Sequence, residues 1–448
     1  MKLCETEFDL SVNSTKRSLL GYFQAGVVDR LESGTLPIRF VITETNKGSY
    51  HCELGLLAAQ DGESLPDIAQ LFEFRQRLVE NNDQFNVVLL VPTGIGSSIG
   101  GDAGDAAPVA RLLASGCDHL ITHPNVVNAS DINELPDNGL YVEGSVLTRL
   151  IMGTVGLQKV RTNRVLVVID EHEDDYFTDS AINSASAART SLGLDCSVAK
   201  MHPRISMETR YSSAGRATGQ VNALENLIQL LEQHRHNFDA IAISSVIQVP
   251  GNLQIDYFAE AMTNPWGGVE AMLTHAISSL FEVPSAHSPM MENRKILNWE
   301  LGVVDPRKAA EAISLTFLHC ILKGLHRSPK IITDKTALTQ PGVISVEDIS
   351  CIVVPDGVLG LPTLAALEQG VKVIAVRENR NLMRNDLSEL PWASGQFWRV
   401  ENYWEAAGVM TAIKAGISPK SVRRPLSETT VVERGSMVET VLAAGQSS

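Results

Sequence analysis

The run Asn86-Val87-Val88-Leu89-Leu90-Val91 is followed at once by Pro92 and a loop holding Gly94, Gly96, Gly100, Gly101 and Gly104. No other stretch constrains the fold as strongly. An apolar run without alternation is the pattern of a strand buried on both faces of a parallel sheet. Pro92 ends it because proline has no N–H for the ladder. The glycines allow positive φ and a close approach of the backbone to a ligand. Asp105 as N-cap, Pro108 in the first turn and Gly116 beyond the end predict a helix over 109–115. Open α/β sheets bind ligands where a strand's carboxyl end turns into a helix. The loop amides of Gly94 and Gly96 and the hydroxyls of Ser97 and Ser98 are therefore expected to grip a phosphate or carboxylate. The glycine spacing misses Gly-x-Gly-x-x-Gly by one residue and no Gly-Lys-Ser/Thr follows, so neither a dinucleotide site nor a P-loop is indicated.

Strand patterns recur at 38–43, 50–58, 164–170, 197–201, 238–246, 351–354 and 371–376. The first two are expected to form a hairpin through Asn46-Lys47-Gly48. Helical spacing predicts helices over 16–31, 65–81, 146–152, 181–192, 222–236, 309–325 and 362–369. Gly215 to Gly219 reads as a flexible turn, and Val283 to Pro289 as a loop between prolines. Alternation of strands and helices argues for an α/β fold with mainly parallel sheets flanked by helices, in Rossmann-like units. A length of 448 residues exceeds one ordinary core, which suggests units at 1–155, 156–335 and 336–448. The tail after Ser427 is polar at its close and is expected to be partly disordered.

The chain holds 37 Lys and Arg against 52 Asp and Glu, a net charge of −15, which argues against nucleic acid or an anionic membrane as partner. Its six cysteines are scattered with no CxxC pair, as in proteins of a reducing compartment. The N-terminus has no apolar signal region, and no apolar run approaches the ~20 residues that span a bilayer. These features point to a cytoplasmic protein with a small-molecule ligand, and they leave self-association open.

Polar residues gather where strands end. His123, Asn125 and Asn128 follow one apolar segment, and Glu143 follows another. Gly267 and Gly268 open a helix that carries His275, and His287 lies between Pro284 and Pro289. His123, Glu143, His275 and His287 are candidates to move protons or to supply ligands for a divalent metal ion. Glu270 and His275 are five apart and so not on one helical face. Asp356 sits in a second strand–Pro–glycine turn, Val354-Pro355-Asp356-Gly357. No cofactor is assigned. The expectation is an enzyme acting on an anionic small molecule; a ligand sensor with the same pocket is the non-catalytic alternative.

Four motifs, Pro92-Thr93-Gly94-Ile95-Gly96, Thr122-His123-Pro124-Asn125, Asn264-Pro265-Trp266-Gly267-Gly268-Val269-Glu270 and Pro355-Asp356-Gly357, resemble an uncharacterised family of cyanobacteria and plastids. That resemblance implies a source and brings no activity with it. The module Gly360 to Arg377 is also similar to the donor-binding half of two-domain glycosyltransferases and sugar epimerases, which implies a nucleotide-sugar ligand as a third reading.

Overall fold

The computed structural model describes residues 1–12, 18–60, 64–66, 68, 70–251, 253–260, 262–293, 302–313, 316–429 and 431. Asn86–Leu89 is a central strand of a six-stranded sheet whose members are all parallel. Their order is Phe397–Val400, Lys372–Val376, Ile349–Pro355, Asn86–Leu89, His119–Thr122 and Gly139–Tyr141. Val88 lies opposite Ile352 on one side and Ile121 on the other. Alternate residues feed two cores: Val87, Leu89 and Val353 enter one, and Val88, Ile352 and Ile121 the other. That two-faced burial is why the run reads as unbroken apolar sequence. Helices Ala107–Ala114 and Tyr403–Lys414 cover the first face through Leu113 and Met410. Helices Gly144–Ile151 and Leu361–Gln369 cover the second through Leu150 and Leu364.

The second sheet has ten strands and is mixed, which corrects the expectation of mainly parallel sheets. Its parallel part joins Asp195–Met201, Arg164–Asp170, Ala240–Gln248 and Ser285–Met290. Ser206–Tyr211 pairs parallel with Ala240–Gln248 and antiparallel with Ala217–Asn222. Lys2–Ser11, Ser49–Ala58, Thr35–Thr45 and Leu359–Gly360 continue the antiparallel part. The 35–58 hairpin forms as expected. Its turn is fixed by the Asn46 side chain, which accepts from the Gly48 and Ser49 amides at 3.0 and 2.9 Å. The six-stranded sheet draws its strands from 86–141 and 349–400, and the ten-stranded sheet from 2–58, 164–290 and Leu359–Gly360, so strand pairing runs across positions 155 and 335.

Several local expectations change. Residues 285–290 form a strand rather than a loop, because Ile241 to Val246 offer it a parallel edge. The turn lies over 213–215, with Gly215 at φ +77°, and Ala217 onward is strand. Residues 70–81 contain no helix. Their amides are taken by distant groups: Arg75 donates to the Met152 carbonyl at 3.0 Å, Arg77 to the Gln369 side chain at 2.7 Å and Asn81 to the Glu347 carbonyl at 2.8 Å. Asp105 does not cap the following helix; it accepts from the Gly100 amide at 2.6 Å, and Ala106 occupies the cap position. Positions 16–17, 67, 69 and 314–315 of expected helices, and 432–448 of the expected disordered tail, lie outside the described residues.

Candidate active site

The carboxyl ends of the parallel strands and the helix Gly267–Phe281 enclose a cavity of about 190 Å³. Two carboxylate–imidazole pairs face it. In the first, Glu143 Oε1 lies 2.5 Å from Nδ1 of His275 and accepts from the Thr274 hydroxyl at 3.2 Å. Glu143 Oε2 accepts from the Ser145 hydroxyl and, at 2.8 Å, from the Ser145 amide. Glu143 thereby also caps the helix Gly144–Ile151. Burial drives this carboxyl upward, but the charge of His275 and the Ser145 donors outweigh it, and its pKa ends below the ordinary value. An ionised carboxylate only accepts, so Nδ1 of His275 carries a proton, and in the neutral ring Nε2 holds the lone pair. Among the described residues Nε2 has no hydrogen-bond partner.

In the second pair, Glu270 Oε1 lies 3.0 Å from Nδ1 of His287, whose Nε2 lies 2.8 Å from the Ser245 hydroxyl. The connectivity is that of a serine–histidine–acid triad, but the direction is reversed. Ser245 is fully buried behind the histidine and lines no part of the cavity, while Glu270 faces it. Both imidazole nitrogens are occupied, so His287 positions Glu270.

His123 is placed otherwise than its candidacy implies. Its Nε2 accepts from the Val91 amide at 3.1 Å, and burial pushes its pKa down to about 4. It is a neutral support that holds the end of the 86–89 strand, and it has no nitrogen free on that side for a metal. No group of three or more His, Cys, Asp or Glu among the described residues could hold a metal ion, so the expected four-residue ligand set does not assemble. Asn125 and Asn128 border the cavity, with Asn125 donating to the Val91 and Gly100 carbonyls at 3.0 and 2.7 Å. Gly267 also borders it, where any Cβ would lie 2.2 Å from Thr93.

The other glycine-loop candidates do not reach the cavity. The Ser98 and Ile99 amides donate to the Arg380 carbonyl and the Asn379 side chain at 2.8 and 2.9 Å. Gly94 accepts from the Ala217 amide at 2.8 Å, and Gly96 sits against Thr263 and Leu382. Ser97 is buried, and Gly268 is pressed on the Ala217 carbonyl. Asp356 is ion-paired with Arg399 at 3.0 Å and borders neither this cavity nor its neighbour. The loop turns are thus filled by protein.

Sequence reasoning set Glu270 aside as a partner of His275 and passed over Thr274, Ser245 and Glu311. For Glu270 a signal existed: five residues on a helix turn it about 140° from His275, enough to serve a second partner rather than the same one. Ser245 and Glu311 carry no local signal, since only the fold brings them near.

Residues 86–423 match the family described as "Protein of unknown function (DUF3326)". The chain belongs to the DUF3326 family. The resemblance read from its motifs holds for the cyanobacterial side. A Synechococcus protein named "Uncharacterized lipoprotein" is similar to this DUF3326 protein, 32% identical over 340 residues, which is 75% of this chain and 92% of the relative. No solved structure matches. No helix among the described residues is long and apolar enough to cross a membrane.

One wall of the DUF3326 cavity carries Glu311, which accepts from the Ala103 amide at 2.8 Å and from Asn264 at 3.1 Å. Burial pushes its pKa up to about 7, which the Ala103 donor opposes and Asp102 assists. The group's folded pKa is raised, so its stabilisation is full below the ordinary carboxylate range and is lost as pH rises through about 7. Glu311→Gln removes that titration. Relative to the parent, the variant should gain roughly 3 kcal/mol between pH 4.5 and 8. Urea unfolding over that pH range checks it; a stability difference that does not change with pH refutes the assignment.

Proposed function

We propose that this DUF3326 protein is an enzyme that transfers protons on a small molecule bearing an anionic group. The observation that supports it is the Glu143–His275 pair, aimed into a cavity with Nε2 unengaged. His275 Nε2 would take a proton from the substrate, and Glu143 would balance the imidazolium that forms. Glu270, held by His287, would handle the second proton across the same space. Ile247, Phe258 and Trp266 line the cavity as its apolar part, which fits a small organic ligand. The six-stranded parallel sheet with helices on both faces is the part read as Rossmann-like, with the ligand at its strand ends.

The buried Ser245 speaks against a serine nucleophile, because a substrate carbonyl would have to pass His287 to reach it. The proposed location is cytoplasmic, supported by six cysteines that form no disulfide. The relative's name points instead to a lipid anchor, and cell fractionation separates the two.

The test is proton exchange in D₂O, followed by NMR over a panel of small phosphates and carboxylates. Deuterium incorporation or turnover should appear with at least one of them. His275→Gln should reduce it by about 10²–10⁴-fold. A His275→Gln protein as active as the parent overturns the reading.

A further inference from the structure

A second cavity of about 130 Å³ adjoins the first and shares Thr93, Gly144, Ala271 and His275 with it. The two differ in charge. Among the described residues, the first is lined by Glu143, Glu270, Glu292 and Glu311 and by no Lys or Arg. The second is lined by Arg39 and Arg149 and by no Asp or Glu.

The arginines of the second cavity are incompletely used. Arg149 gives Nη2 to both oxygens of Glu282, at 2.9 and 3.0 Å. Its Nε and Nη1 are buried with no hydrogen-bond partner, and so is Nη1 of Arg39. Buried guanidinium N–H groups are normally satisfied. Two residues that line one cavity thus carry three donors without an acceptor. One wall is the start of the nine-residue helix Leu361–Gln369, at Gly360 and Thr363, and no side chain caps it. Its first-turn amides add a partial positive charge from a third element.

From these features we infer that the second cavity is the subsite for the substrate's anionic group, a carboxylate or phosphate held by Arg39 and Arg149. The inference rests on the proposed acid–base reading. It gives the ligand a direction: negative end among the arginines, reacting end at His275 in the acidic cavity. It also moves anion recognition away from the glycine loop, where the Ser98, Ile99 and Gly100 amides are engaged, to side chains from the Thr35–Thr45 strand and the Gly144–Ile151 helix.

Arg39 also balances the buried Glu5 and Glu53, so its variant must keep the charge. Arg39→Lys does so and removes only the fork. Titrations of the full chain with inorganic phosphate and, separately, with malonate should each be saturable or single out one of the two. Arg149→Met should weaken the bound probe at least tenfold and Arg39→Lys several-fold. Glu270→Gln, which lies in the other cavity, should bind the probe at least as well as the parent. Should neither probe saturate, or should both arginine variants bind as the parent does, the subsite is refuted. The two readings fail separately: Arg-dependent binding without turnover sinks only the acid–base reading, and turnover with Arg-independent binding sinks only the subsite.

Discussion

Arg216→Met should lower the unfolding free energy by about 3–5 kcal/mol. Arg216 is fully buried and bonds to both Glu5 and Glu53, themselves almost wholly buried. Glu5 also accepts from the Thr218 hydroxyl. These residues come from Lys2–Ser11, Ser49–Ala58 and the start of Ala217–Asn222, so one guanidinium ties three strands of the antiparallel part. Taking two carboxylates out of water is costly, and their shared cation offsets that. Without it Arg39 is the cation left to act on them among the described residues. Urea unfolding at pH 7 measures the loss. Acidification should shrink it, because protonated carboxyls no longer need a counter-charge, and Glu53→Gln in the Arg216→Met background should recover part of it. A loss under 1 kcal/mol would mean that water or Arg39 already compensates the acids.

The second large effect is on turnover. Glu143→Gln should reduce it by about 10³-fold, within the range for loss of a proton-transfer group. Oε2 of Glu143 faces two donors on Ser145, while Oε1 faces the His275 N–H and the Thr274 hydroxyl. An amide has only one oxygen for these two sides. If that oxygen takes the Ser145 donors, the NH₂ faces Nδ1 and moves the imidazole proton to Nε2. The base is then lost without any change of shape. Nitrogen NMR of His275 should show the exchanged tautomer, a readout that a purely structural role would not move. Unchanged turnover with an unchanged tautomer refutes the role given to Glu143.

What the sequence disclosed follows from what is local. Val87 to Leu89 has to be a doubly buried strand, and Asn46-Lys47-Gly48 has to turn, because neighbouring residues decide both. The helix expected over 65–81 does not form over 70–81, because its polar positions there serve distant partners. Arg75 pairs with Glu347 at 2.6 Å, and Arg77 donates to the carbonyls of Gln369 and Gly370. Periodicity cannot reveal a partner several hundred residues away. The site divides in the same way. Glu143 at a strand end, His275 on a helix opened by two glycines and His287 between two prolines are legible in sequence, and all three border the cavity. The glycine loop promised unoccupied amides, but Asn379 and Arg380 return to take those of Ile99 and Ser98. His123 looked reactive until the Val91 amide was seen to use its nitrogen. The arginine subsite was invisible, since Arg39 and Arg149 are ordinary charges until two sheets place them beside one hollow.

The pairing of Leu89 with Val353 bears on how the chain is made. On the ribosome, the 86–89 segment emerges long before the strand that covers one of its flanks. Throughout that interval it presents bare N–H and C=O groups along an apolar ribbon, a template that any other nascent copy could extend. Such long-range closure is slow and exposes the intermediate to aggregation. The ribbon is closed on that flank only when Ile349–Pro355 arrives to pair with it.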